Sequence, residues 1–203
     1  MNRDFVFLSL PMLPKEIKDE LLSICKNTNL SKERLHRISS YYTENMNIAA
    51  QEYYTEQVGK IPIDIIREIQ SIYSGYFYGG VYAFLGKAEN LLKDLNAVTP
   101  PHCDRIRQIG INYLLSTGGN DVVTSFYNEK RINYNLSTGE SLDYNKVSLS
   151  SQFVFPQEKW YAFNTQKYHS VENIENERYY FSLILNLNPT FKKFNKKYKQ
   201  LIF

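Results

Sequence analysis

From about residue 98 the chain is a succession of short runs rich in β-branched and aromatic residues. They lie at 109–115 (IGINYLL), 121–127 (DVVTSFY), 151–155 (SQFVF), 160–163 (WYAF) and 179–185 (YYFSLIL). The spacers between them, among them STGGN, NEKRINYNLSTGES and PQEK, hold the Gly, Asn, Ser and Pro that turns require. Parallel strands need long, usually helical crossovers, and none intervenes here. The pattern therefore argues for an antiparallel sandwich or jelly roll.

The first half has a different period. After Pro14, a suitable first-turn residue, Ile17, Leu21, Ile24 and Cys25 recur on one helical face. A second such segment starts near Asp64, with Ile65, Ile66, Ile69, Ile72 and Tyr73 apolar. Residues 5–13 (FVFLSLPML) are too short for a membrane span and lack a cleavage site, so they read as a strand or core-entry segment. The polar, Tyr-rich residues 31–60 and the loop 128–150 are where substrate contacts are expected. A length of 203 residues with 15% aromatics suits one compact domain. Its expected parts are a mainly helical stretch 1–97, a β core 98–188 and a basic tail 189–203. Two cysteines, Cys25 and Cys103, lie too far apart for a disulfide framework and suggest a reducing, cytoplasmic setting. A net charge of +3 does not by itself imply nucleic acid, and no run of about 20 apolar residues implies a membrane. Residues 80–87 (GVYAFLGK) imitate a phosphate loop but have five residues between the glycines instead of four, and Ala88 stands where a hydroxyl is needed.

Three histidines in the whole chain exclude a His-rich cluster and allow each to be weighed singly. His36 has no acidic partner at ligand spacing. His102 and Asp104, two apart in Pro100-Pro101-His102-Cys103-Asp104, project to one side of an extended chain, with Cys103 on the other. An imidazole and a carboxylate suit a divalent metal, and His169, just after the run at 160–163, supplies a third ligand. Two histidines and one carboxylate on one face of an octahedral ion leave three positions open. Nine residues beyond His169, Arg178 opens the run RYYFSLIL, and its planar guanidinium matches a carboxylate bidentately. Ser182, on the same strand face, adds a hydroxyl.

His102-x-Asp104, then INYLL, Gly118-Gly119 and VVTSFY, then WYAFNTQKYHSV with Arg178-Tyr179 beyond it, resembles the Fe(II)/2-oxoglutarate-dependent oxygenase superfamily. The likeness is to its prolyl-hydroxylase-like and aspartyl/asparaginyl-hydroxylase-like members and covers roughly residues 98–188. It implies a double-stranded β-helix, a cupin-like jelly roll flanked by N-terminal helices. It implies iron ligation by His102, Asp104 and His169, and a salt bridge from Arg178 to the distal carboxylate of 2-oxoglutarate. Tyr113 matches a position where relatives place a tyrosine on that carboxylate. Tyr180 departs from the usual small hydroxyl residue two positions after the arginine, so that either Ser182 or another group completes the cosubstrate pocket. With O2 as the second cosubstrate, the implied reaction hydroxylates an amino-acid side chain, free or in a peptide or protein, and releases succinate and CO2. Because Asp104 is a carboxylate, hydroxylation is favoured over halogenation.

Two other functions use the same residues. A non-catalytic jelly-roll binding module needs no metal, and a zinc-dependent hydrolase uses the same two histidines and aspartate but leaves Arg178 without a role. In the tail, Lys192, Lys193, Lys196, Lys197 and Lys199 alternate with Phe191, Phe194 and Tyr198. That mixture suits a nucleic-acid contact, whereas the helical spacing of Phe191, Phe194, Tyr198 and Leu201 suits an amphipathic helix.

Overall fold

A computed structural model describes residues 4–27, 51–52, 61–78, 81–88, 99–104, 107–132 and 140–203. Two antiparallel sheets face each other. The first contains β1 (Phe5–Phe7), β2 (Gln51–Glu52), β3 (Val81–Ala88), β5 (Ile109–Ser116), β9 (Trp160–Asn164) and β11 (Arg178–Leu185), in the order β1-β9-β5-β11-β3-β2. The second contains β4 (Thr99–Cys103), β6 (Val123–Lys130), β7 (Glu140–Ser141), β8 (Leu149–Phe153) and β10 (Lys167–Glu172), in the order β7-β4-β10-β6-β8. Among the described residues three α-helices accompany them: α1 (Lys15–Asn27), α2 (Ile63–Tyr73) and α3 (Phe191–Lys197).

The two-residue period of the strands sorts side chains between two cores. On β11, Tyr179, Phe181, Leu183 and Leu185 join Ile111, Tyr113, Trp160 and Ala162 on the outer face of the first sheet. There they meet Ile17, Leu21 and Cys25 of α1, Ile69 and Tyr73 of α2, and Phe194 of α3. Each such aliphatic or aromatic side chain taken from water contributes about 1.5–3 kcal/mol. Tyr73 and the Trp160 indole both donate to the Pro11 carbonyl, at 3.0 and 2.8 Å, which satisfies their polar ends. The alternate residues Leu114, Tyr161, Phe163 and Tyr180 point between the sheets, where they pack with Phe126 and Phe155.

Val81–Ala88, within the stretch expected to be mainly helical, is a strand paired with β11 along its full length, from Val81↔Leu185 to Ala88↔Arg178. Long-range pairing of that extent outweighs a short local pattern. The basic tail beyond residue 189 is folded against the core, with Phe194, Tyr198 and Leu201 buried and Lys192, Lys193, Lys196, Lys197 and Lys199 exposed. Phe194 and Tyr198 are thus unavailable for stacking on bases. The Tyr-rich segment 31–60 and His36 lie almost entirely outside the described residues, as does the middle of the loop 128–150. Among the described residues no helix is long and apolar enough to cross a membrane.

Candidate metal centre and its pocket

β4 and β10 are antiparallel neighbours, and their register sets His102 directly opposite His169. The two imidazole centroids are 4.4 Å apart. Asp104 follows the end of β4, and its carboxylate turns back toward both rings. Oδ1 lies 3.5 Å from His102 Nε2 and 3.7 Å from His169 Nε2. One ligand atom from each residue falls within 4.8 Å of the others, and all three residues are buried. Cys103 faces the opposite side, beside Tyr127 and Tyr168.

The donor set fits a divalent metal. Separations of 3.5–3.7 Å are what two atoms each about 2.1 Å from a common ion can span. Burial, followed by the nearby His102 charge, lowers the pKa of His169 from 6.5 to about 4, so its ring is neutral at pH 7. Its Nδ1 lies 2.9 Å from the Lys167 carbonyl, which places the ring proton there and turns the Nε2 lone pair toward Asp104. Burial alone would raise the Asp104 carboxyl, but Arg107 and the two imidazoles outweigh it and hold the group well below the usual carboxylate range.

A pocket of about 390 Å³, its open mouth included, lies between the sheets and is lined by both His169 and Arg178. Arg178 is 4% exposed. Among the described residues its guanidinium meets no carboxylate and donates only to Thr117 O, at a long 3.5 Å. Glu177 instead accepts from the Tyr179 hydroxyl. Gly118 makes room for the arginine: its φ is +83°, and a Cβ placed on it would sit 2.8 Å from Arg178 Cβ.

Tyr113 lies elsewhere. It projects to the outer, helix-facing side of β5, with its ring 5.1 Å from that of Trp160. Its neighbour Asn112 holds the pocket-facing position, because adjacent strand residues point to opposite faces. Ser182 shares the inner face with Arg178, but its hydroxyl is engaged by Asn112 Oδ1. It therefore supports the pocket through Asn112 and does not line it.

Besides Asn112 and Val171, four lining groups were not anticipated from the sequence. Tyr161 and Phe163 come from β9, and the Phe163 ring stands edge-on to His169 at 5.1 Å. Arg107 is the third. The fourth, Thr124, is 5% exposed, and its hydroxyl has no protein partner among the described residues. Leaving a hydroxyl so placed costs about 1–3 kcal/mol unless a ligand or water meets it. Tyr180 also lines the pocket, as the two-residue period from Arg178 requires.

No family model matches the chain, and no curated protein matches it. Among solved structures, AviO1 from Streptomyces viridochromogenes aligns over 92% of this chain and 92% of its own, at 11% identity and a TM-score of 0.37. The nickel complex of the non-heme monooxygenase ThoJ aligns over 89% of this chain and 72% of its own, at 10% identity and a TM-score of 0.29. At these scores neither likeness bears on the chemistry of the site.

Proposed function

We propose that this chain is a non-haem Fe(II)- and 2-oxoglutarate-dependent oxygenase built on a double-stranded β-helix. The observation that supports it most is Arg178, a buried permanent cation that meets no carboxylate among the described residues and lines the same pocket as the His169 imidazole. A buried charge calls for an anion, and a short dicarboxylate held at its other end by a metal would supply one. The strand order β9-β5-β11-β3 opposite β4-β10-β6-β8, with the chain crossing repeatedly between sheets, agrees with the jelly-roll reading.

In this reading His102, Asp104 and His169 hold iron and leave three positions open. Iron bound there supplies the activation of O2 that couples decarboxylation of 2-oxoglutarate, to succinate and CO2, with transfer of one oxygen atom into a C–H bond. The protein's own part is positioning. Arg178 anchors the distal carboxylate, Val171 and the aromatic wall of Tyr161, Phe163 and Tyr180 limit water, and the Lys167 carbonyl keeps His169 in the ligating tautomer. The likeness to prolyl and asparaginyl hydroxylases directs the substrate reading to an amino-acid side chain, free or in a protein. Two buried cysteines, neither in a disulfide, agree with a cytoplasmic setting. A zinc hydrolase would give Arg178 no task.

Succinate formation from labelled 2-oxoglutarate, followed by NMR with Fe(II), O2 and candidate amino acids or peptides, tests this. The expected result is turnover that requires iron and disappears in His169→Ala. Absence of succinate from an iron-loaded, folded protein across these substrates, with no 2-oxoglutarate binding, would overturn it.

A further inference from the structure

We propose that Arg107 is a positioning residue that ties up one oxygen of Asp104 so that the aspartate presents only the other to the metal. Its Nε donates to Asp104 Oδ2 at 2.5 Å, while Oδ1 is the atom that faces both histidines. Arg107 is 8% exposed and lies three residues beyond the aspartate, and its guanidinium lies at the wall of the pocket.

The surroundings hold both residues to the turn that leads into β10, the strand of His169. Asp104 donates its N–H to Thr165 O at 2.9 Å, and its carbonyl accepts from Arg131 at 3.1 Å and Gln166 at 3.3 Å. The Arg107 carbonyl accepts from the Thr165 hydroxyl at 2.6 Å and from Gln166 at 2.7 Å. A single polar clip thus fixes the backbones of Asp104 and Arg107 relative to the β9–β10 turn. Within it, the guanidinium sets the rotation of the carboxylate.

The consequence concerns coordination number. An unrestrained carboxylate can chelate an ion through both oxygens and fill two positions. With Oδ2 engaged by Arg107, Asp104 fills one, and three positions stay open for other ligands. Charge alone would act in the opposite direction, since a fixed cation this close repels a divalent ion. Removing Arg107 therefore frees Oδ2 to chelate the ion if its role is geometric, and leaves single-oxygen coordination in place if its role is only electrostatic.

This inference rests on the metal-centre reading. The probe is Co2+ alone, titrated by calorimetry into the wild type, His169→Ala, Arg107→Lys and Arg107→Met, with melting curves of the metal-free proteins as a check on folding. The wild type is expected to bind one equivalent, lost in His169→Ala. Infrared spectra of 13C-aspartate-labelled protein should show the Co2+-bound carboxylate changing from single-oxygen to chelating coordination in the variants. If Arg107→Met does not fold, Arg107→Lys, which keeps the charge and loses the planar fork, decides. An unchanged carboxylate signature in a folded, Co2+-binding variant overturns the inference and leaves the metal centre standing. A wild type with no His169-dependent site overturns both.

Discussion

At the scale of single residues, the site combines an imidazole kept neutral with a carboxylate kept charged, and their opposite tendencies separate in pH. The native His169 pKa is about 4 against 6.5 for the unperturbed group, so between those values only the unfolded chain takes up the proton. Stability of the metal-free protein is therefore expected to fall as pH drops from 6.5 toward 4, by roughly 3 kcal/mol at most. Asp104, whose pKa is depressed, contributes stability above its ordinary value of 3.8 and loses it only at lower pH. Urea unfolding at pH 7 and pH 5 measures the first window, and a His169→Asn variant should flatten it. Thr124→Val supplies a second residue-scale prediction: it removes a buried, unpaired hydroxyl at nearly constant volume. The expected outcome is a higher melting temperature without ligand and weaker 2-oxoglutarate binding, whereas a lower melting temperature would assign the hydroxyl a structural task. At this scale much of the site was legible. His102 and Asp104 at i, i+2, with Arg178 nine residues past His169, carry a spacing that strand geometry turns into convergence. Arg107 and Thr124 carried no comparable signal, because their roles depend on which side chains meet them across the sandwich.

Elements set the limits within which those residues work. Gly110 pairs with Phe163 across β5 and β9, and a Cβ at Gly110 would run into the Phe163 ring, which stands against His169. Gly110→Ala is expected to cost about 1–3 kcal/mol by overpacking and to disturb metal binding, read together from melting and Co2+ titration. Gly118→Ala strains a left-handed turn and pushes on Arg178, so its effect should fall on 2-oxoglutarate affinity with metal affinity little changed. In the tail, Phe194 is fully buried against the ring of Phe77, and Phe194→Ala should destabilise the whole fold by about 3–5 kcal/mol. That the tail is a packed helix was readable from the spacing of Phe191, Phe194, Tyr198 and Leu201. Tyr113 shows the opposite case. Its position within INYLL was clear, but which face of β5 meets the pocket depends on register with β9 and β11, and one residue of parity separates Asn112 from Tyr113. The strand Val81–Ala88 was hidden for a related reason, since its partner β11 lies about a hundred residues away along the chain.

At the scale of the whole molecule, the two faces of the first sheet divide the work. Its outer face buries the helices and provides most of the apolar core, while its inner face, opposed by the second sheet, carries Arg178, Tyr180 and Asn112 toward the histidines of β4 and β10. Because the His102, Asp104 and His169 cluster is carried by β4, its end and β10, while Arg178 stands on the other sheet, the pocket exists only when the sandwich is closed. Metal and dicarboxylate together should accordingly raise the melting temperature more than either alone. Central to the proposed function is one ligand that bridges the His102/Asp104/His169 ion and Arg178. Calorimetry of 2-oxoglutarate into Mn2+-loaded protein, which holds the site without turnover, tests this bridge most directly. The expected result is binding that is abolished by removing the metal and weakened at least tenfold by Arg178→Gln. Binding that persists without metal, or that ignores the loss of Arg178, would contradict it.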